Sequence, residues 1–196
     1  MNKFEDILTF HYNDIEPKPG CLLVSEPFSF GNIFSRSVVL LTNHNEEGSM
    51  GLVLTSPGLF TLSDLINDLR DFEGVPVLDG GPLGRDILFF VHPLENLTGA
   101  QKIAKGLFLN GDFNELKQLI LDKRIDPFTI KFFLGYSGWG ANQLESELIN
   151  DTWVIAEEPT PYIINQSPNL LWKDILQNMG TPYSLWSRYP LIPSFN

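Results

Sequence analysis

The chain has 196 residues, 43% of them hydrophobic, and sets 13 Lys and Arg against 24 Asp and Glu for a formal charge of −11. An acidic chain without a basic cluster is poorly matched to phosphate backbones or anionic lipid surfaces, which argues against direct nucleic-acid contact and membrane-surface binding. Cys21 is the lone cysteine, so no intrachain disulfide can form, as suits a reducing compartment.

The opening residues lack the charged and apolar segments of a secretory signal, and no apolar run approaches the ~18 residues of a membrane span. The expectation is a cytoplasmic protein forming one domain over residues 1–196, with an aromatic, proline-rich tail from about residue 181. A short helix around Phe4–Phe10 and a lead-in loop, Glu16-Pro17-Lys18-Pro19-Gly20, come first. Gly20–Glu26 reads as a strand stopped by Pro27, with Cys21 a small buried hydrophobe in its apolar run. Phe28, Phe30, Ile33 and Phe34 decorate the following loop, packing on the core or lining a groove.

Ser37–Thr42 is apolar on both faces at its centre and belongs inside a sheet. A polar turn through His44 and Gly48 returns it as Gly51–Thr55, a hairpin ended by Pro57-Gly58. Thr61-x-x-Asp64 opens a helix with Leu62, Leu65, Ile66 and Leu69 at helical spacing. Val75–Leu78 leads to the glycine-rich loop Asp79-Gly80-Gly81-Pro82-Leu83-Gly84, followed by a strand at Ile87–His92. Because a strand follows and no Gly-Lys-Ser/Thr does, this loop reads as a tight turn or close backbone approach rather than a phosphate cradle.

Asp112-x-x-Glu115 starts a helix through Leu121. Residues 129–148 read as a buried strand, a glycine corner carrying Trp139, and a helix begun by Asn142-x-x-Glu145. On that helix Glu145 falls within the apolar arc, so it requires a cation or several donors. Arg36 is the candidate partner, giving an expected Arg36–Glu145 ion pair. A strand at Trp153–Ala156, a proline-punctuated loop and a helix at Asn169–Met179 follow. The tail, with Tyr183, Trp186, Tyr189 and Phe195, packs across its own domain or is exchanged with a neighbouring subunit in a homodimer.

Chemistry-bearing constellations are sparse. His44, in a turn, and His92, at a strand end, could converge with Asp79, the minimum for a metal-assisted or hydrolytic site with Glu145. No metal-ligand spacing supports them, and no cofactor fingerprint is present. Gly135-Tyr136-Ser137-Gly138 has the first half of a nucleophile elbow, but Trp139 stands where the last glycine belongs.

Several motifs in fixed order do resemble a family. Gly20-x-Leu22-Leu23 with Pro27, Phe34-x-Arg36-Ser37-Val38-Val39-Leu40-Leu41, His44, and Gly48-x-Met50-Gly51-Leu52-Val53-Leu54 are followed by Gly80-Gly81-Pro82. Gly135-Tyr136-x-Gly138-Trp139 and Gln143-Leu144-Glu145-x-Glu147-Leu148 complete the set. Together, over about residues 15–180, they resemble the YqgE/AlgH family. Ser49 and Thr55 depart from the Ala and Asn that the family pattern has at those positions.

The resemblance implies an α+β fold with a mostly antiparallel, bifurcated sheet forming a pseudo-barrel flanked by helices. It also implies a bacterial protein often labelled a transcriptional regulator, with no established enzymatic activity. Combined with the charge, it favours a non-enzymatic binding or regulatory protein acting through a protein partner or small ligand. The groove expected to hold that partner lies near Arg36, His44, Asp79, Gly80, Gly81 and Trp139.

Overall fold

The computed structural model describes residues 13–27 and 34–189; the expected Phe4–Phe10 helix lies outside them. Among the described residues ten strands form one sheet, β1 (Leu22–Ser25), β2 (Val38–Asn45), β3 (Gly48–Val53), β4 (Pro57–Thr61), β5 (Pro76–Asp79), β6 (Leu83–His92), β7 (Gln101–Ala104), β8 (Leu107–Leu109), β9 (Lys131–Gly140) and β10 (Trp153–Ala156). The described helices are α1 (Leu62–Leu65), α2 (Phe113–Leu121), α3 (Gln143–Ile149), α4 (Thr160–Asn165), α5 (Pro168–Asn178) and α6 (Tyr183–Trp186). The fold is thus α+β, and every strand pairing except that of β5 with β9 is antiparallel.

The main path runs β10-β1-β2-β3-β9-β6-β8-β7 and stays open, so the pseudo-barrel is not closed by hydrogen bonds. The bifurcation is at β9. Its Phe132–Leu134 stretch pairs with β5, whereas Ser137–Gly140 pairs with β3. At the fork the Gly80 N–H donates to the Leu134 carbonyl, and the Gly80 carbonyl accepts from the Val53 N–H and the Ser137 hydroxyl. Gly80-Gly81 therefore closes the gap between two branches of one sheet.

Alternation explains the two central layers. Leu22, Val24, Val38 and Leu40 face one apolar cluster with Trp172 and Ile175, while Cys21, Leu23, Val39 and Leu41 face another with Trp139 and Trp153. A third cluster joins Leu62, Val77, Phe90, Leu116, Ile120 and Phe132. Apolar residues on both faces of β1 and β2 thus mark strands covered on both sides.

Four local expectations are corrected. The glycine corner after Tyr136 is continuous strand, because β9 runs on to Gly140 opposite β3. Asn142 adopts a left-handed conformation without a side-chain cap; instead the Gln143 side-chain oxygen reaches back to accept from the Gly140 N–H. Pro57-Gly58 opens β4 rather than ending the hairpin region. Proline is tolerated on an edge strand, and any Cβ at Gly58 would lie 2.0 Å from the Val77 carbonyl oxygen. The helix expected from Thr61 keeps its reciprocal Thr61–Asp64 cap but stops at Leu65, since Ile66 is extended. The tail forms α6, which packs on its own chain with Trp186 buried; residues beyond Tyr189 lie outside the described ones.

Candidate functional site

Four residues of β6 after Leu83 bulge out of the ladder, since Leu83 pairs with Tyr136 and Leu88 with Leu134. Gly84 and Gly135, at φ +54 and +73, supply the left-handed turns that such a bulge needs. The bulge aims Arg85 at the fork. Its Nη2 donates to Asp79 Oδ2 at 2.6 Å, and Asp79 Oδ1 accepts from the Gly81 N–H at 3.2 Å. With Arg85 68% exposed at its side chain, this ion pair contributes little to stability, about 0–1 kcal/mol. A ligand that competes for either partner meets a low barrier.

Two clefts flank the pair. One, about 120 Å³, is bounded by Phe34, Val53, Ser56, Gly81 and Pro82. The other, about 380 Å³, opens along β4 between Pro57–Phe60, Val77, Leu78 and Leu134. Asp79 and Arg85 line both. Leu59 is 95% exposed, and Phe60, Leu83 and Ile87 add further exposed apolar surface on β4 and β6. Among the described residues, β4 pairs only with β5. By contrast the free edge of β10 is occupied, for the Asn13 amide donates to the Ile155 carbonyl and accepts from the Ile155 N–H.

The expected groove is therefore only partly assembled. Asp79 and Gly81 stand in it, with Gly80 directly behind them in the ladder. Trp139 is 5% exposed and belongs to the core. Arg36 and Glu145, expected to pair, each have other partners. The Arg36 guanidinium donates to the Tyr189 carbonyl at 2.6 Å and lies 4.9 Å above the Trp172 ring. Glu145, 42% exposed, sits 3.7 Å from His44 Nε2.

The carboxylate embedded in contacts is Glu147. Its Oε2 accepts from the indole N–H groups of Trp139 and Trp153, both at 2.8 Å, and its Oε1 accepts from Gln143. A signal for it existed in the sequence, because two tryptophans in apolar strands each need an acceptor for the indole N–H. Arg85, Ser56 and the free β4 edge carried no comparable signal.

The histidines have separate environments. His92 is fully buried; its Nδ1 accepts from the Leu94 N–H, so Nε2 carries the proton donated to the Asn110 carbonyl at 2.7 Å. Burial holds its pKa below the ordinary histidine value. The folded state then binds the proton more weakly than the unfolded state, so stability is complete above the unfolded pKa near 6.5 and falls as pH drops through it. Urea midpoints measured from about pH 7 to about pH 5 should decline in the wild type more than in His92→Asn; equal slopes would show that His92 protonation is not opposed by the fold.

His44 Nδ1 lies 2.8 Å from the Ser49 hydroxyl, which places Ser49, His44 and Glu145 in sequence. Ser49 is in mid-ladder, paired with both β2 and β9, rather than on a turn where N–H groups free to hold an oxyanion are found. Ser137 is buried and donates to Gly80, and burial raises the Cys21 pKa, so both are core groups. Thr55, at the other departing position, accepts from the Val38 N–H and secures the start of β2. Among the described residues, no group of three or more His, Cys, Asp or Glu could hold a metal ion, and no helix is long and apolar enough to cross a membrane.

Fold and cleft together define an open, forked α+β domain with an exposed ion pair set between two grooves. The chain belongs to the AlgH-like family, DUF179, whose sequence model matches residues 22–184. It is similar to UPF0301 proteins of Bacteroides thetaiotaomicron, 43% identical over 197 residues and the full length of both chains, and of Parabacteroides distasonis, 36% identical over 198 residues and again both full lengths. Among solved structures it is similar to protein DIP2367 of Corynebacterium diphtheriae, at TM-score 0.74 and 24% identity, covering 89% of this chain and 94% of that one. The AlgH protein of Pseudomonas aeruginosa matches at TM-score 0.69 and 23% identity, covering 90% and 98%. At these identities the structural likeness is one of fold alone.

Proposed function

We propose that this AlgH-like protein is a non-enzymatic regulatory or binding protein of the cytoplasm that holds a segment of a protein partner at the forked end of its sheet. The observation that carries this reading is the Asp79–Arg85 pair, exposed between two clefts and beside a strand edge bearing Leu59 and Phe60. An extended segment can add to such an edge through main-chain hydrogen bonds, with clefts on alternate sides taking its side chains. The ion pair then offers a charged partner of either sign. Direct DNA contact is disfavoured by the charge of −11.

The enzymatic alternative, built on His44, His92 and Asp79, has less support because both ring nitrogens of His92 are already bonded within the core. The test is affinity capture from the native lysate with wild type, Leu59→Asp and Arg85→Glu. Proteins held by the wild type and lost from both variants are the expected result, and a gel shift at low salt should be absent. Identical capture by all three, or a salt-dependent DNA shift, overturns the reading.

A further inference from the structure

On the far side of Leu78 lies a separate cleft of about 210 Å³, between β5, the turn before β9 and the α4–α5 junction. Its walls include the apolar side chains of Pro76, Leu78, Phe128, Ile130 and Ile164. Among the described residues its one charged lining residue is Lys131. The Lys131 ammonium donates to the Gln166 carbonyl at 3.1 Å, and it has no carboxylate partner among the described residues. A lysine ammonium has three donors, so this contact leaves donors for a ligand. In a chain of charge −11, a cation in a cleft without lining acids is a selective feature.

One further feature suits an anion, since Asn165 adds an amide to the rim. The hydrocarbon walls argue for an organic acid over a bare inorganic ion, and the volume lies below the ~300–1,000 Å³ of pockets for drug-sized ligands. We infer that this cleft is a binding site for a small carboxylate with an apolar body, whose carboxylate pairs with Lys131 while its hydrocarbon lies on Leu78, Ile130 and Ile164.

Desolvation already holds the Lys131 pKa below the ordinary lysine value; a bound carboxylate would raise it. The site shares only Leu78 with the cleft along β4, so it stands independently of the partner-binding reading.

The test is NMR of the full-length protein carrying ¹³C-labelled lysine, titrated separately with sodium hexanoate, sodium benzoate, 1-hexanol and inorganic phosphate. Lys131→Met, which keeps the stem and removes the charge, identifies the resonance. One or both acids should shift Lys131 saturably and raise its pKa, with 1-hexanol and phosphate binding at least about tenfold more weakly, as loss of a charge-assisted bond or of apolar contact requires. Binding of the acid to Lys131→Met, followed by thermal stabilisation, should weaken by a similar factor. Absence of a Lys131 shift with either acid, or equal binding of hexanol, of phosphate, or of the acid by Lys131→Met, overturns the assignment. Should Lys131→Met not fold, Lys131→Arg, which keeps the charge and removes the labelled lysine signal, identifies the resonance, so that the wild-type titration still decides the matter.

Discussion

Replacing Glu147 by alanine should lower the unfolding free energy by about 3–5 kcal/mol in urea denaturation, because two indole donors lose their shared acceptor. Trp139 and Trp153 are 5% and 0% exposed, and both indole N–H groups rely on this one half-buried carboxylate. Gln143, which also donates to Glu147, bonds the Gly140 N–H and holds the start of α3. Loss of the carboxylate therefore loosens the helix as well as the ring cluster. Glu147→Gln keeps one oxygen and should lose only about 1–2 kcal/mol. Glu145→Gln, on the exposed neighbour, should stay within about 0.5 kcal/mol of wild type. A loss below about 1 kcal/mol for Glu147→Ala would show that this carboxylate does not organise the tryptophan cluster.

The second large effect is at the fork. A Cβ at Gly81 would sit 2.3 Å from the Tyr136 carbonyl carbon, and the residue has φ +147. The Tyr136 carbonyl and the Ser137 nitrogen, 2.5 Å away, are backbone held in a ladder, so neither can move aside cheaply. Gly81→Ala should cost about 3 kcal/mol or more, combining strain and overpacking. Gly74→Ala is the reference, since Gly74 has φ +80 with nothing within 4 Å of the added carbon. That change isolates the conformational cost, about 1–2 kcal/mol. Equal losses for the two variants would mean that the branches of the sheet do not press together at Gly81.

Much of the sheet was readable wherever burial alone sets the pattern. Val38–Leu41 is apolar at every position, and that requires cover on both faces. The cap at Asp112 was legible as well, since an aspartate three residues before Glu115 satisfies local amides whatever the tertiary setting, and Asp112 Oδ1 does accept from the Asn114 and Glu115 N–H groups. The same pattern failed at Asn142, where the close pairing of β9 with β3 delivers the chain to the helix in a left-handed conformation.

The candidate site was legible only through its glycines. Gly80 and Gly81 announced a close backbone approach, but nothing local indicated what approached them. The strand that does so lies more than fifty residues later, at Gly135 and Tyr136. A helical wheel points to Glu145 rather than Glu147 because it ranks positions by apolar neighbours on the same helix. The contacts that select Glu147 come from Trp139 and Trp153, outside that helix.

The pairing of β1 with β10 sets a condition on how the polypeptide emerges from the ribosome. Leu22–Ser25 finds its second neighbour only when Trp153–Ala156 has been synthesised, and Arg36 gains its carbonyl acceptor only with Tyr189. The first hairpin must therefore wait, with one apolar border open, through translation of more than a hundred codons. At about 5–20 residues per second that interval lasts roughly 6–30 s, a window in which a nascent-chain chaperone has an exposed segment to shield.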